Sequence, residues 1–264
     1  MSGYFGTETQ RRLQATAEAN DDFIKETPGA CQVGRMIGCD DPEQLGWERI
    51  GAILDRDGIC GFRLIPADRV GALRSRLAER GFRLDTWDLF LADRATALAA
   101  SQAILSRGLP DGLTEMAPPT DPEGEDTRRI QALIGAAGVV PFSGSLLAGA
   151  LGPATTVAIG DATGAVVATA HGYRPHNRHS AFHGYAWGGL VAVADAHRGK
   201  GLGAHVNARM VVGVLRDPGA THVYELVSAT NMPSRNMVAA CGLRHEPAFV
   251  CGMAVPGESA RFTR

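Results

Sequence analysis

A glycine-rich loop behind an apolar strand constrains this chain more than any other feature of its sequence. Residues 188–204 read GGLVAVADAHRGKGLGA, with glycines at the alternate positions Gly199, Gly201 and Gly203. Glycine has no Cβ, so an anion can approach the backbone closely at these positions. The unpaired N–H groups and the positive dipole end of a following helix attract an anion to the same place. The pattern predicts a phosphate-binding turn between a strand and a helix.

Two well-known phosphate loops fit this stretch poorly. The nucleoside triphosphatase pattern G-x-x-x-x-G-K-[ST] is absent. The dinucleotide fingerprint matches Gly199, Gly201 and Ala204 as letters. However, residues 194–198 separate the strand from the first glycine, and no regular alternation of strands and helices follows. An NAD(P)-dependent oxidoreductase is therefore kept only as an alternative function.

Composition excludes several classes of protein. The chain has 264 residues, of which 45% are hydrophobic and 20% charged, as expected of one large or two ordinary globular domains. A net charge of −2 argues against nucleic acid or an anionic membrane as a partner. We expect no signal peptide and no transmembrane helix, because long apolar stretches are lacking. Five cysteines without a C-x-x-C pair favour reduced thiols in a cytoplasmic protein.

A proline-rich acidic stretch at residues 109–126 separates two regions of the sequence. We place a linker at 111–126, because such a composition is typical of a connection between domains. Residues 1–110 are predicted to form an N-terminal α/β region of unknown role. That region is either a small domain of its own or a degenerate copy of the C-terminal one. Residues 127–257 form the predicted C-terminal domain.

The C-terminal domain has a clear predicted order of elements. Two helices come first, a strand hairpin around residues 160–164 follows, and a polar loop at 171–184 leads to the strand 185–193. After the glycine loop we expect a helix, a strand, a helix capped by Asn231 and a last strand.

Two motifs in this order resemble those of the GNAT N-acetyltransferase superfamily. Arg198-x-x-Gly201-x-Gly203 resembles its acyl-CoA loop, and Asn231-Met232-Pro233-Ser234 ahead of Gly242 resembles its N-x-x-S/A helix. The resemblance covers about residues 127–257. It implies an α/β (α+β) GNAT fold with a mixed, mostly antiparallel sheet, to which the N-terminal α/β domain is added.

The resemblance also implies a function: transfer of an acetyl group from acetyl-CoA, or of another acyl group from its CoA thioester, to an amine. The acceptor would be a small or amino-acid-like molecule that attacks directly in a ternary complex, and the enzyme could act as a homodimer. The implied cofactor-binding residues lie on the strand, in the loop and on the later helix: Leu190, Val191, Val193, Arg198, Gly199, Lys200, Gly201, Gly203, Ala204, Asn231 and Ser234. For Arg198, neutralising a phosphate and bracing the turn are both open.

The sequence departs from the family where the proton chemistry takes place. Many members carry a tyrosine as general acid at the position of Val238, and no acidic residue lies on the strand before the loop. We name Glu225 as the candidate base and Tyr185 as a candidate acid, with Tyr224 as a further one. Proton loss through water would need none of them. A non-catalytic acyl-CoA-binding module is the second alternative function.

Four histidines follow the strand hairpin, namely His171, His176, His179 and His183. A zinc site would require their ring nitrogens to converge in one tetrahedron. Polar neighbours indicate an exposed loop instead, so we predict no metal site. Acceptor binding is the favoured role for this loop.

Overall fold

The computed structural model describes residues 3–216 and 219–258, so residues 1, 2, 217 and 218 of the predicted regions lie outside it. The described residues contain ten α-helices: α1 Glu8–Ala19, α2 Asp21–Glu26, α3 Pro42–Leu45, α4 Trp47–Asp57, α5 Val70–Ala78, α6 Arg94–Leu105, α7 Glu125–Ala136, α8 Gly144–Leu147, α9 Leu202–Val214 and α10 Met232–Ala240. They contain eleven strands: β1 Ala30–Gln32, β2 Ile37–Cys39, β3 Cys60–Pro66, β4 Phe82–Asp93, β5 Thr114–Glu115, β6 Ala154–Gly160, β7 Val166–Tyr173, β8 Tyr185–Val193, β9 His222–Val227, β10 Arg244–His245 and β11 Phe249–Pro256.

All strands join one sheet in the order β1-β2-β3-β11-β4-β9-β8-β7-β6-β5, with β10 beside β4. Two neighbouring pairs, β2 with β3 and β8 with β9, are parallel, and the other pairs are antiparallel. Each parallel pair is joined by a helical crossover, as parallel neighbours require. The predicted mixed, mostly antiparallel sheet is confirmed.

The two halves of the chain exchange their last strands. β4 ends the N-terminal half and pairs with β9, whereas β11 ends the C-terminal half and pairs with β3. β4 and β11 also pair with each other over six residues, from Cys251–Trp87 to Pro256–Phe82. The backbone ladder therefore continues from one half into the other.

Helices cover both faces of the C-terminal half. α9 packs on β6, β7 and β8, and α6 and α10 pack beside it around a core that includes Val206, Met210 and Val238. α7 and α8 cover the opposite face, over a second core with Phe142 and Trp187. Among the residues that the structure describes, every helix is too short or too polar to cross a bilayer.

Most predicted elements of the C-terminal half are present within a few residues of their expected bounds. Of the two helices expected at the start of this half, the first is α7, which begins after Gly124, and the second is the short α8. Six glycines and prolines between residues 27 and 48 predict loops there, but this segment holds β1, β2, α3 and the start of α4. These strands are three residues long, so their apolar periods are too short to be recognised.

The predicted 171–184 loop is anchored by long-range contacts. Asn177 is buried, and its amide donates to the carbonyls of Ile24 and Thr27 at 2.8 Å and of Ala30 at 2.9 Å. Two amide hydrogens thus serve three acceptors from the end of α2 and the start of β1. This side chain connects the C-terminal half to the N-terminal one.

We expect Asn177→Ala to lower the free energy of unfolding by about 2–4 kcal/mol, because it leaves buried carbonyls without a donor. Urea titration of the full chain followed by circular dichroism measures this loss. Asn236→Ala, at an exposed position of α10, is the matched control and should change stability by less than about 0.5 kcal/mol. Equal stability of the two variants would show that the amide does not anchor the loop.

Candidate functional site

Strands β8 and β9 part in the middle of the sheet. Their parallel pairing runs from Tyr185–His222 to Gly188–Glu225, and no pair follows, although β8 continues to Val193. The edge of residues 189–193 that faces β9 therefore has no strand neighbour. An open edge of this kind offers backbone donors and acceptors to a ligand.

A β-bulge lies at the start of this open edge. Against β7, His171 pairs with Gly189 and Thr169 with Ala192, so two residues, Leu190 and Val191, oppose Ala170 alone. Leu190 has φ of 51°, a left-handed conformation that is unfavourable for a leucine. Strain of this type is stored at sites where the surrounding structure enforces it.

The glycine loop presents free backbone donors. Gly199 and Gly201 have φ of 76° and 80°, which explains glycine at both positions. Gly201 is the N-cap of α9 and provides no side-chain cap. Within the described part of the chain, the N–H groups of residues 199–204 have no acceptor. Free donors at the positive end of a helix dipole are groups that attract an anion, and the phosphate-binding role of this loop stays a prediction.

The basic residues of the loop differ in their contacts. Arg198 is 61% exposed, with its guanidinium 2.9 Å from Asp195 Oδ1 and its Nε donating to the Val193 carbonyl at 3.4 Å. These contacts stabilise the turn, which is one of the two roles that the sequence leaves open for Arg198. Lys200 is exposed beside the free amides. Both charges favour an anion at the loop.

The predicted residues on α10 lie at its first turn. Asn231 caps this helix, and its Oδ1 accepts from the Ser234 N–H at 3.1 Å. Met237, on the same helix, approaches Gly203, where an added Cβ would lie 3.6 Å from the sulfur. Val238 is fully buried in the core under α6 and α9.

Glu225 occupies the last paired position before the strands part. It is 3% exposed, and Oε1 accepts from Asn207 Nδ2 of α9 at 2.8 Å. Burial raises the pKa of this carboxyl to about 7, and the bond from Asn207 lowers it in part. A Cβ at Gly188 would lie 3.3 Å from Glu225 Cγ and 2.4 Å from Met210 Cε, so glycine makes room for both side chains.

Tyr185 lies at the other end of the paired segment. Its ring stacks on His222 with 4.3 Å between centroids, at the first pair of β8 and β9. Three residues of strand, about 10 Å, separate it from the open edge. The structure therefore does not bring Tyr185 to Glu225 or the glycine loop, and its role as an acid stays a prediction.

The four histidines do not share one environment. His171 is buried beside Phe142 and Tyr173, and burial lowers its pKa to about 3. His176 is also buried, whereas His179 and His183 are exposed. The prediction of an exposed loop is thus wrong for the first two. The residues that bury these two histidines are distant in the sequence, so polar neighbours in the sequence do not indicate the burial.

Cys31, Asp40 and His176 bring potential ligand atoms within 4.8 Å of one another. Both ring nitrogens of His176 already have partners, Asp40 Oδ2 at 2.6 Å and Tyr224 Oη at 3.2 Å. No lone pair of this imidazole is directed at a cation. Sequence reasoning missed Asp40 and Arg63 here, because both belong to the N-terminal half and neither lies in a recognisable motif.

Comparison with known proteins agrees with this geometry. Residues 128–243 match the family model described as the acetyltransferase (GNAT) family. No curated protein sequence matches the chain.

Solved structures of low identity share the fold over nearly the whole chain. A GCN5-related N-acetyltransferase from Kribbella flavida is 15% identical with a TM-score of 0.54, covering 95% of this chain and 97% of its own. A Drosophila protein is 13% identical with a TM-score of 0.59, covering 97% and 92%. A tandem GNAT protein from the clavulanic acid biosynthesis pathway is 18% identical with a TM-score of 0.53, covering 85% and 76%.

The raised pKa of Glu225 makes stability depend on pH. Between its unfolded value of 4.5 and its folded value of about 7, the folded protein binds a proton that the unfolded chain has lost. The free energy of unfolding therefore falls as pH rises through this window, by up to about 3 kcal/mol. We expect Glu225→Gln to remove this loss, so that the variant exceeds the native protein in stability at pH 8 but not at pH 4.5.

Urea titrations at pH 4.5, 6 and 8 measure the effect. Glu48→Gln, at an exposed position of α4, is the control and should follow the native pH dependence. A Glu225→Gln curve parallel to the native one at all three values would contradict the buried, protonated carboxyl.

Proposed function

Because the C-terminal half of this chain is a GNAT acetyltransferase domain, we propose that the protein is an acyl-CoA-dependent N-acetyltransferase acting on a small or amino-acid-like amine. The observation that carries the proposal is the open edge of β8 continuing into the free amides of the glycine loop. The open edge of β8 suits an extended, amide-bearing arm, and the free amides of the loop suit a diphosphate. Acetyl-CoA joins such an arm to such a diphosphate.

The residues present fit this group. An added Cβ at Gly199 or Gly201 would meet no atom within 4 Å, so the space beside the loop is open. We assign the diphosphate to the amides of residues 199–204, with Lys200 supplying charge. We assign the pantetheine arm to the backbone of Leu190, Val191 and Val193. Asn231 and Ser234 border the same channel from α10.

Acetyl-CoA supplies a thioester, whose acyl carbon an amine can attack directly. The chain must hold the amine in line, accept its proton and stabilise negative charge on the carbonyl oxygen. The bulge at Leu190–Val191 turns an amide out of the β7–β8 ladder, and we assign the oxyanion contact to Val191 N–H. Glu225 lies on the α9 face of the gap and Tyr224 on the opposite face, so each is placed to take part in proton transfer.

The N-terminal half repeats the topology of the C-terminal half, which supports its origin as a GNAT-like copy. In each half a strand crosses over through helices to a parallel neighbour, and a further helix leads to the exchanged strand: β2-β3-β4 in one and β8-β9-β11 in the other. A tandem arrangement is also named for one of the similar structures. We assign residues 1–110 to a degenerate copy, 111–126 to the linker and 127–257 to the catalytic copy.

The corresponding loop of the copy is acidic. Gly46 caps α4 with φ of 85°, as Gly201 caps α9. Asp41 Oδ1 accepts from the N–H groups of Glu43 at 3.1 Å and Gln44 at 3.2 Å. Asp41 and Glu43 thus precede this cap, whereas Arg198 and Lys200 precede Gly201, and the carboxylates repel a diphosphate.

We expect Gly201→Glu to weaken CoA binding at least about 100-fold, because it adds a negative charge at the diphosphate site. Isothermal titration calorimetry with CoA measures the affinity. Gly81→Glu is the matched control, since Gly81 also has a positive φ of 79° and open space but lies in the N-terminal half. Equal affinities of the two variants in folded protein would contradict the assigned site, and preferential binding of NAD(P) would select the oxidoreductase instead.

We expect one CoA to bind per chain, because Arg198 and Lys200 lie beside the free amides of the loop before α9, whereas Asp41 and Glu43 precede the cap of α4. The same titration gives the stoichiometry. Two equivalents per chain, or one that survives in Gly201→Glu, would place a site in the N-terminal half. Binding without CoA release from acetyl-CoA over a panel of amines would favour a non-catalytic acyl-CoA-binding module.

A further inference from the structure

A buried hydrogen-bonded network of three polar side chains connects the two halves of the protein. His176 Nδ1 lies 2.6 Å from Asp40 Oδ2, and His176 Nε2 lies 3.2 Å from Tyr224 Oη. The side chains of His176 and Asp40 are 0% and 1% exposed, and Tyr224 is fully buried. Asp40 follows β2 in the N-terminal half, whereas the other two residues belong to the C-terminal half.

The donor and acceptor of each hydrogen bond in this network follow from the chemistry of its three side chains. Asp40 Oδ2 also accepts from Ser180 Oγ at 2.6 Å, so this oxygen is an acceptor and His176 Nδ1 carries the hydrogen. In a neutral imidazole the other nitrogen then accepts, so the Tyr224 hydroxyl donates to Nε2. The lone pairs of Tyr224 Oη remain available to a donor from elsewhere.

Tyr224 lies where the two strands of the site part. It pairs with Trp187 on β8, one residue before the last pair, Gly188–Glu225. Its ring belongs to the core under α7 and α8, whereas Glu225 contacts Asn207 of α9 on the other face. Tyr224 therefore lies one pair before the open edge, on the face that the N-terminal half helps to cover.

Polar atoms without a hydrogen-bond partner belong to this network and to residues beside it. Asp40 Oδ1, Arg63 Nε and Trp187 Nε1 are buried without a hydrogen-bond partner. A β-bulge in β3 carries Arg63, next to Leu64 with φ of 53°. Buried polar atoms are normally bonded, so a group of unpaired ones indicates that a polar ligand or water completes them.

The His176 end of this network lies near a pocket that opens to solvent. A pocket of about 70 Å³ opens between α2, α8 and the segment after β7, and its lining includes His176, Tyr173 and Gln32. Gln32 Oε1, also unpartnered, belongs to this lining. The imidazole is therefore the link between the strand gap and the pocket.

We propose that Tyr224 accepts the proton of the acceptor amine, and that His176 and Asp40 position the hydroxyl and receive its proton. In this step an N–H bond of the acceptor ammonium breaks as its proton moves to Tyr224 Oη. The original hydroxyl proton moves to His176 Nε2, and Asp40 Oδ2 pairs with the resulting imidazolium. The free amine then attacks the acyl carbon. This inference rests on the proposed N-acetyltransferase function.

The role of each group agrees with its environment. Burial raises the pKa of the Tyr224 hydroxyl well above its ordinary value, so this residue exchanges one proton for another and does not ionise. Burial lowers the pKa of His176, which keeps it neutral before the transfer, and the bond to Asp40 opposes that effect. Among the described residues, Cys31 on β1, Asp40 after β2, Arg63 on β3 and Tyr224 on β9 are the titratable or charged groups that face the imidazole.

Access to Tyr224 requires one side chain to move. The Trp187 indole lies across Gly189, where an added Cβ would be 2.6 Å from Cη2. This ring covers the start of the open edge next to Tyr224. We expect the acceptor to displace it and its ammonium group to donate to the unpaired Asp40 Oδ1.

The test compares two buried tyrosines whose hydroxyl groups have different hydrogen-bond partners. Tyr224→Phe removes the hydroxyl of the relay. Tyr173→Phe removes a hydroxyl of the same aromatic cluster that donates only to the Gln32 carbonyl, at 3.1 Å. We expect Tyr224→Phe to lower kcat about 100-fold or more, the usual effect of a lost general base. Its KM for acetyl-CoA and its CoA affinity should stay within about twofold, and Tyr173→Phe should keep nearly full kcat.

Two further readouts separate positioning from mere structure. Nitrogen-15 spectra of the imidazole should show a shifted His176 Nε2 in Tyr224→Phe and an unchanged one in Tyr173→Phe. In Asp40→Asn, the pKa of His176 should fall because its carboxylate partner is lost. The acidic limb of the pH–rate profile should then move to lower pH, with a lower plateau.

Equal kcat in the two tyrosine variants, with CoA binding intact, would overturn the relay alone. A large kcat loss in Glu225→Gln with near-native Tyr224→Phe would assign the proton to the other face. Absence of CoA binding in the native protein would instead overturn the proposed function itself.

Discussion

The end of the β8–β9 ladder at Gly188–Glu225 is the constraint on which the candidate site depends. Parallel strands normally continue to pair while both remain extended, so an early end leaves backbone groups that need other partners. The bulge at Leu190 begins at the same point, and the strain of its positive φ is held there by the β7 pairs on either side. Ladder, bulge and glycine loop therefore form one open edge that continues into the start of α9.

Strand exchange explains why this edge can stay open in a stable sheet. β9 loses β8 as a neighbour beyond Glu225, yet its other edge stays paired with β4 from Asp88–Val227 to Asp93–His222. The N-terminal half thus supplies the support that the parting strands of the C-terminal half cannot give each other. It also supplies Asp40 and Arg63 to the face opposite α9. The N-terminal half thereby forms part of the proposed site.

The sequence predicted what local chemistry determines. Positive φ at Gly199 and Gly201, the helix after them and the Asn231 cap all follow from residue types within a few positions. The features that the sequence does not predict depend on contacts between residues that are far apart in the chain. His176 and Asp40 are separated by 136 positions, and no period or motif links them. Polar neighbours of His176 therefore suggested exposure, whereas tertiary contacts bury it.

The same limit applies to the candidate base. Its residue type and its place ahead of Asn231 indicate Glu225 as the base, and its raised pKa suits proton transfer. Residue type alone does not give the face of the sheet on which a side chain lies. Alternation along β9 puts Glu225 under α9 and Tyr224 on the side of the N-terminal half.

The two faces of the gap differ in what they offer a charged acceptor. On the α9 face, Glu225 is enclosed by an apolar core, with Asn207 as its hydrogen-bond donor. On the opposite face, Asp40 Oδ1 is an unpaired acceptor among the described residues, within a polar network. An ammonium group loses its hydration on entering a buried site, so it requires replacement acceptors at once. The second face supplies Asp40 Oδ1 and the hydroxyl oxygen of Tyr224 as acceptors, and a relay that moves the proton outward avoids leaving a new charge in the gap.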